Sequence, residues 1–111
     1  MKKTRILFVE DDLDYRYLIE RELEKEKDFE LCAACSDGET AVQAALLHQP
    51  DIVLMDVIMP GMDGISVMEQ VKNTEDLEKK PSFIVVSAAG SENVTEDAFR
   101  MGASYFIMKP F

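Results

Sequence analysis

The sequence has few of the residues from which zinc and redox sites are built. Its 111 residues include one histidine, His48, and two cysteines, Cys32 and Cys35. A structural zinc ion takes four ligands, so this set is too small. The C-x-x-C pair lies in a predicted strand, where residues three apart point to opposite faces, and not at a helix start that would lower a thiol pKa. We expect two small core residues, and a redox protein is the weakest alternative.

Positive charge is also scarce. The chain has 12 Lys and Arg residues against 22 Asp and Glu residues, a formal net charge of -10. Such a chain repels phosphate backbones, so we do not expect this segment to contact nucleic acid directly. The same charge would attract a divalent cation or a basic partner surface.

Long apolar runs are missing as well. No run approaches the roughly 18 residues that a membrane span needs, and the start of the chain lacks the apolar stretch of a signal peptide. We therefore expect a cytoplasmic protein without membrane contact.

Repeats, low-complexity tracts and linkers are absent too, and 47% of the residues are hydrophobic. Residues 1–111 are therefore predicted to form one packed domain.

Short apolar runs alternate with helical patterns along the whole chain. The runs suit strands buried on both faces, and they cover residues 5–9, 29–35, 51–55, 82–87 and 105–108. The helical stripes are Tyr15, Leu18, Ile19 and Leu23; Ala41, Val42, Ala45 and Leu46; Ile65, Met68 and Val71; and Val94, Ala98 and Met101. Asp12 or Asp14 would cap the first helix. This alternation predicts an α/β fold, a doubly wound parallel sheet with helices on both faces.

Polar residues stand at the carboxyl ends of four of the five predicted strands. They are Glu10, Asp11 and Asp12 after the first, Asp56 after the third, Ser87 at the end of the fourth and Lys109 after the fifth. Each alone has a simpler interpretation as a helix cap, a loop or turn residue, or a surface lysine. Ligands of open α/β sheets bind beyond these strand ends, so we expect three or four carboxylates, one hydroxyl and one amine to converge at one edge.

Converging carboxylates repel one another, and a hard divalent cation such as Mg²⁺ would relieve that repulsion. Lys109 would hold an arriving anionic group and Ser87 would donate a hydrogen bond to it. Asp56 would then be suited to attack phosphorus and form an aspartyl-phosphate.

The motifs "FVEDD", "VLMDVIMPGMDG", "VVSAAG" and "GASYFIMKPF" together resemble the receiver domain of bacterial two-component response regulators, over residues 5–111. The resemblance implies a flavodoxin-like five-stranded sheet of order 2-1-3-4-5. It also implies a phosphoacceptor signalling switch in a phosphorelay, which is not a turnover enzyme. The stretches "LEKKPS" and "NVTEDAFRMGASYFIMKPF" are more narrowly similar to receivers of sporulation regulators.

The resemblance also implies roles for individual residues. Asp56 would be the phosphoacceptor, and Mg²⁺ would be held by Asp56, Asp11, Glu10 and the backbone carbonyl of Ile58. Glu10 would act mainly through water.

Two further positions follow the family pattern. Ser87 and Lys109 would contact the phosphoryl group. Ser87 and Phe106 would form the switch, with phenylalanine where many relatives have tyrosine.

The implied partners are a histidine kinase or phosphotransfer protein as donor, and an effector domain or downstream protein as target.

A typical receiver continues into a fifth helix beyond the position of Phe111. We therefore expect residues 1–111 to be the truncated amino-terminal part of a longer regulator, and to self-associate through the face that the helix would cover.

Two other functions on the same topology remain open. A Mg²⁺-dependent phosphatase with an aspartate nucleophile usually carries a second aspartate two residues later, where this chain has Ile58. A flavin-binding electron carrier needs a phosphate-cradling loop after the first strand. The acidic run Glu10-Asp11-Asp12 at that place would repel a phosphate.

Overall fold

The computed structural model describes residues 3–56, 64–75, 77–78, 80–87 and 105–108. Within them the strands are β1 (Thr4–Val9), β2 (Phe29–Cys35), β3 (Ile52–Asp56), β4 (Ser82–Ser87) and β5 (Tyr105–Met108). The helices are α1 (Leu13–Glu24), α2 (Gly38–His48) and α3 (Gly64–Asn73). The fourth predicted helix, with Val94, Ala98 and Met101, lies outside the described residues. None of the described helices combines the length and apolar character that crossing a membrane requires.

The five strands form one sheet of order β2-β1-β3-β4-β5, and each neighbouring pair is parallel. This confirms the predicted α/β fold and strand order. Three boundaries differ by one residue, among them the start of β3 at Ile52 instead of Asp51. β1 begins at Thr4, whose N–H bonds to the Asp28 carbonyl at 2.8 Å. β3 runs to Asp56 because Asp56 still pairs with Val86 of β4.

Buried apolar side chains lie on both faces of the sheet. Leu7 and Val9 alternate with Ile6 and Phe8 along β1, because successive strand side chains point to opposite faces. The first pair belongs to the main core cluster, which packs beneath α2 and α3 and comprises Leu7, Val9, Cys35, Ala41, Ala45, Val53, Met55, Val67, Met68, Val71, Leu77, Phe83 and Val85. Ile6 and Phe8 are buried outside this cluster, together with Ile19 of α1.

Arg5 bonds to several elements at the edge of the sheet where the strands begin. Its backbone N–H donates to Asp51 Oδ2 at 2.9 Å, and its guanidinium contacts Glu30 at 3.3 Å. The same guanidinium donates to the carbonyls of His48 and Gln49 at the end of α2. A cation is favourable there because a helix carries partial negative charge at its carboxyl end. Arg5 therefore joins β1, β2, α2 and the start of β3.

The apolar stripe of α1 is only partly covered. Ile19 is buried, whereas Leu18, on the same stripe, is 56% exposed. An apolar groove lies beside it, lined by Leu18, Ile19, Glu22, Leu23, Glu26, Phe29 and Leu54. Helical spacing sets the direction of a side chain, but a neighbouring element is needed to bury it. Self-association through this face stays a prediction.

The two cysteines lie on either side of an irregularity in β2. Ile6 pairs with Leu31 and Leu7 pairs with Ala33, so Cys32 is an additional residue that forms a β-bulge. Its thiol donates to the Ile6 carbonyl at 3.3 Å. Both cysteines contact the main core cluster, which agrees with the expectation of two small core residues, and the bulge interrupts the regular alternation of side chains between them.

Replacing Leu7 by alanine should destabilise the fold strongly. Leu7 has no exposed surface, and a buried leucine truncated to alanine costs about 2–5 kcal/mol in the free energy of unfolding. Leu47→Ala is the matched control, because Leu47 is 78% exposed and such changes stay within about 0.5 kcal/mol. Urea denaturation measures both variants, and equal losses would contradict this packing.

The thiols should react slowly in the folded protein. Burial raises the pKa of Cys32 and of Cys35, and only the thiolate is nucleophilic. At pH 7 we expect iodoacetamide to label both thiols much more slowly in buffer than in urea, with the native rate rising as the pH increases. Native labelling at pH 7 as fast as that of free cysteine would contradict the structural role and favour a redox pair.

Candidate functional site

The pairing of β1 with β3 brings two carboxylates side by side. Val9 is the partner of Met55 in the parallel ladder. Glu10 is the residue after Val9, and Asp56 is the residue after Met55. Parallel strands run in the same direction, so the residues that follow a pair leave the sheet at the same edge. β1 and β3 are neighbours here because the chain forms β2 on the other side of β1. This is the point where the strand order reverses, which is the usual ligand position in such sheets.

Asp11 completes a three-carboxylate group, here called the acidic cluster. One carboxylate oxygen from each of Glu10, Asp11 and Asp56 lies within 4.8 Å of the other two. Glu10 is 1% exposed and Asp56 is 8% exposed, whereas Asp11 is open to solvent. Two of the three groups are therefore held inside the protein, and the third faces outward at the mouth of the site.

Hydrogen bonds hold both the main chain and the side chain of Glu10. The Glu10 N–H bonds to the Cys35 carbonyl at the end of β2, at 2.9 Å. The Asp12 N–H donates to Glu10 Oε2 at 3.3 Å. The Asp12 side chain caps α1 by accepting from the backbone N–H groups of Asp14 and Tyr15. The sequence allows Asp12 or Asp14 as the cap, and the structure has Asp12 in that place. No sequence signal indicates the contacts that hold Glu10.

Asp37 caps α2 in the same manner at the neighbouring strand end. Its Oδ1 accepts from the Thr40 N–H at 2.8 Å. That backbone hydrogen bond lowers the pKa of the Asp37 carboxyl. The folded state therefore favours the ionised form, and the cap loses strength as the pH falls through this pKa. Asp37 does not belong to the acidic cluster.

The acidic cluster suits a small divalent cation. Two buried like charges about 4–5 Å apart repel by roughly 3–4 kcal/mol at an effective dielectric constant near 20. Mg²⁺ takes oxygen ligands at about 2.0–2.1 Å, so its opposite ligands are about 4 Å apart. A spread of up to 4.8 Å therefore fits a cation that binds one or two of these carboxylates directly and another through water.

The other predicted site residues are described only in part. Ser87 ends β4, one residue beyond Val86, the partner of Asp56, so its backbone lies at the same edge of the sheet as the acidic cluster. Phe106 lies in β5 and pairs with Val85. The side chains of Ser87 and Phe106 are outside what the structure describes. Lys109, which follows β5 in sequence, and the carbonyl of Ile58 also lie outside the described residues.

Comparison with known proteins agrees with this architecture. A family model described as the response regulator receiver domain matches residues 6–111. The signal receiver domain of the putative response regulator NarL from Mycobacterium tuberculosis is 27% identical, with the match covering 100% of this chain and 87% of that one at a TM-score of 0.89. The response regulator domain of CheB from Thermotoga maritima is 29% identical, over 98% and 80% of the chains at a TM-score of 0.87.

A third structure agrees at the level of the fold. The chemotaxis response regulator CheY4 of Vibrio cholerae is 23% identical, over 99% of this chain and 89% of that one at a TM-score of 0.84. The narrower resemblance to sporulation regulators is not borne out by these comparisons. The five-stranded parallel sheet, the strand order and a family match over nearly the whole length lead to one conclusion: the chain belongs to the response regulator receiver domains.

Proposed function

We propose that this domain is the phosphoacceptor of a two-component phosphorelay, with Asp56 receiving the phosphoryl group in the presence of Mg²⁺. The observation that carries the proposal is the acidic cluster at the junction of β1 and β3, where two buried carboxylates and one exposed carboxylate lie within 4.8 Å. Membership of the receiver family supports the same role.

The proposed reaction transfers one phosphoryl group. A carboxylate oxygen of Asp56 forms a bond to phosphorus while the bond from phosphorus to the donor nitrogen breaks. The donor nitrogen keeps the electron pair of that bond and takes up a proton from solvent, which leaves a neutral imidazole. The donor class is a phosphohistidine on a kinase or phosphotransfer protein. Hydrolysis of the acyl phosphate later restores the carboxylate, so the protein acts as a slow switch and not as a turnover enzyme.

Mg²⁺ would supply positive charge that offsets the phosphoryl oxygens and the clustered carboxylates. Asp11 is the proposed direct ligand together with Asp56, because its exposed carboxylate faces the approach to the site. Glu10 would act through water, since its carboxylate is buried and already accepts from the Asp12 N–H. The carbonyl of Ile58 is the remaining proposed ligand.

The proposed switch couples the site to the β4 and β5 side of the sheet. The Ser87 hydroxyl would donate to the phosphoryl group, and Lys109 would pair with it as a point charge. Movement of Ser87 would let Phe106 change its packing. The register of the strands supports this coupling. Asp56 pairs with Val86 of β4, and Ser87, the residue after Val86, pairs with Met108 of β5.

The proposed partners follow from this role. A donor kinase or phosphotransfer protein would approach the exposed edge that carries Asp11, and an effector domain or separate protein would read the switched face. Residues 1–111 would then be the receiver part of a longer regulator in the cytoplasm. Family membership disfavours the phosphatase and flavin-carrier alternatives, and Ile58 stands where a phosphatase would need its second aspartate.

Incubation with acetyl phosphate and Mg²⁺ should add one phosphoryl group to the protein. Intact-mass measurement should detect a single addition, and omission of Mg²⁺ should remove most of it. Asp56→Asn should abolish the addition, because an amide is a far poorer nucleophile toward phosphorus than a carboxylate.

Asp51→Asn is the matched control for this variant. Asp51 is another aspartate beside β3, but it lies at the opposite end of the strand, where it contacts Arg5. This variant should still be phosphorylated. Undiminished labelling of the Asp56→Asn variant, or labelling that Mg²⁺ does not affect, would contradict the assignment.

A further inference from the structure

Asp12 follows the two acidic cluster residues Glu10 and Asp11 but does not belong to the cluster. Its backbone N–H nevertheless donates to Glu10 Oε2 at 3.3 Å. Its own Oδ1 points the other way, accepting from the N–H groups of Asp14 at 3.1 Å and Tyr15 at 3.2 Å. One residue therefore contacts the acidic cluster with its main chain and the start of α1 with its side chain.

These contacts fix the backbone of Asp12. The residue has extended dihedral angles, φ -78° and ψ 107°, as a helix N-cap requires. Its carbonyl accepts the first intrahelical bond, from the Arg16 N–H at 2.9 Å. With its side chain and carbonyl both bonded to α1, the direction of the Asp12 N–H is set by the helix. The carboxylate that accepts from this N–H, that of Glu10, is thereby held in one orientation.

We propose that Asp12 is a positioning residue for the cation site, a role that rests on the proposed function. It does not touch the cation. By capping α1 it keeps its N–H directed at Glu10, and so keeps the buried carboxylate aimed at the cation or its bound water. Groups that orient metal ligands through such hydrogen bonds commonly change metal affinity by about tenfold or more when they are lost.

Two substitutions separate the cap from the charge. Asparagine caps helices as well as aspartate does, so Asp12→Asn keeps the geometry and removes only the negative charge. Asp12→Ala removes the cap but keeps the backbone N–H. Asp37→Ala is the matched control, because Asp37 caps α2 through the Thr40 N–H and lies outside the acidic cluster.

The experiment is a Mg²⁺ titration of the wild-type chain and the three variants, followed by backbone amide NMR. We expect Asp12→Ala to weaken Mg²⁺ binding about tenfold, and Asp12→Asn and Asp37→Ala to stay within about threefold of the wild type. Urea denaturation of the same variants provides the comparison, because a purely structural role predicts similar losses of stability for the two alanine variants and no difference in Mg²⁺ affinity between them.

A second measurement tests the contact without any metal. In metal-free protein, Glu10→Ala should shift the Asp12 amide resonance and speed its hydrogen exchange, whereas Asp11→Ala should leave that amide nearly unchanged. Glu10→Gln retains an acceptor oxygen and should give an intermediate result.

The outcomes distinguish this proposal from the proposed function. Mg²⁺ affinity that is unchanged in Asp12→Ala, or reduced equally in Asp37→Ala, overturns the positioning role while the phosphoacceptor assignment stands. An Asp12 amide that does not respond to Glu10→Ala also overturns it. A wild-type chain that binds no Mg²⁺ overturns the proposed function itself, and the positioning role with it.

Discussion

The parallel pairing of β1 with β3 is the constraint on which the rest of the structure depends. Once Val9 is opposite Met55, Glu10 and Asp56 must leave the sheet side by side. The burial of both strands in the core fixes this register, because a slip by one residue would turn Leu7, Val53 and their neighbours away from the core. The apolar packing thus holds together two charged groups that repel each other.

Hydrogen bonds hold Glu10 in place against that repulsion. Glu10 is held by the Cys35 carbonyl and the Asp12 N–H, and both contacts come from elements that the core anchors. Carboxylates of like charge repel one another, so their clustering is unfavourable for the fold at this point. A bound cation would recover part of that cost.

Sequence patterns predicted the fold well because the determining signals are local. Five apolar runs and the alternating helical stripes gave the strands, and the strand ends located the acidic residues. The departures need information about distant residues. No feature of the run FELCAAC marks Cys32 as the additional residue of a bulge. The contacts of Arg5 join groups 25 to 46 residues apart. Leu18 fits a helical stripe, yet its exposure depends on what packs over it.

The melting temperature as a function of Mg²⁺ concentration tests the central claim most directly, that the acidic cluster is a cation site formed by the fold. A ligand that binds only the folded state stabilises it by mass action, by about 2.7 kcal/mol at 100 times its dissociation constant. We predict a melting temperature that rises steadily with millimolar Mg²⁺, and a much smaller rise for Asp11→Asn. A wild-type melting temperature that does not respond to Mg²⁺, or an Asp11→Asn variant that responds as strongly as the wild type, would contradict the account.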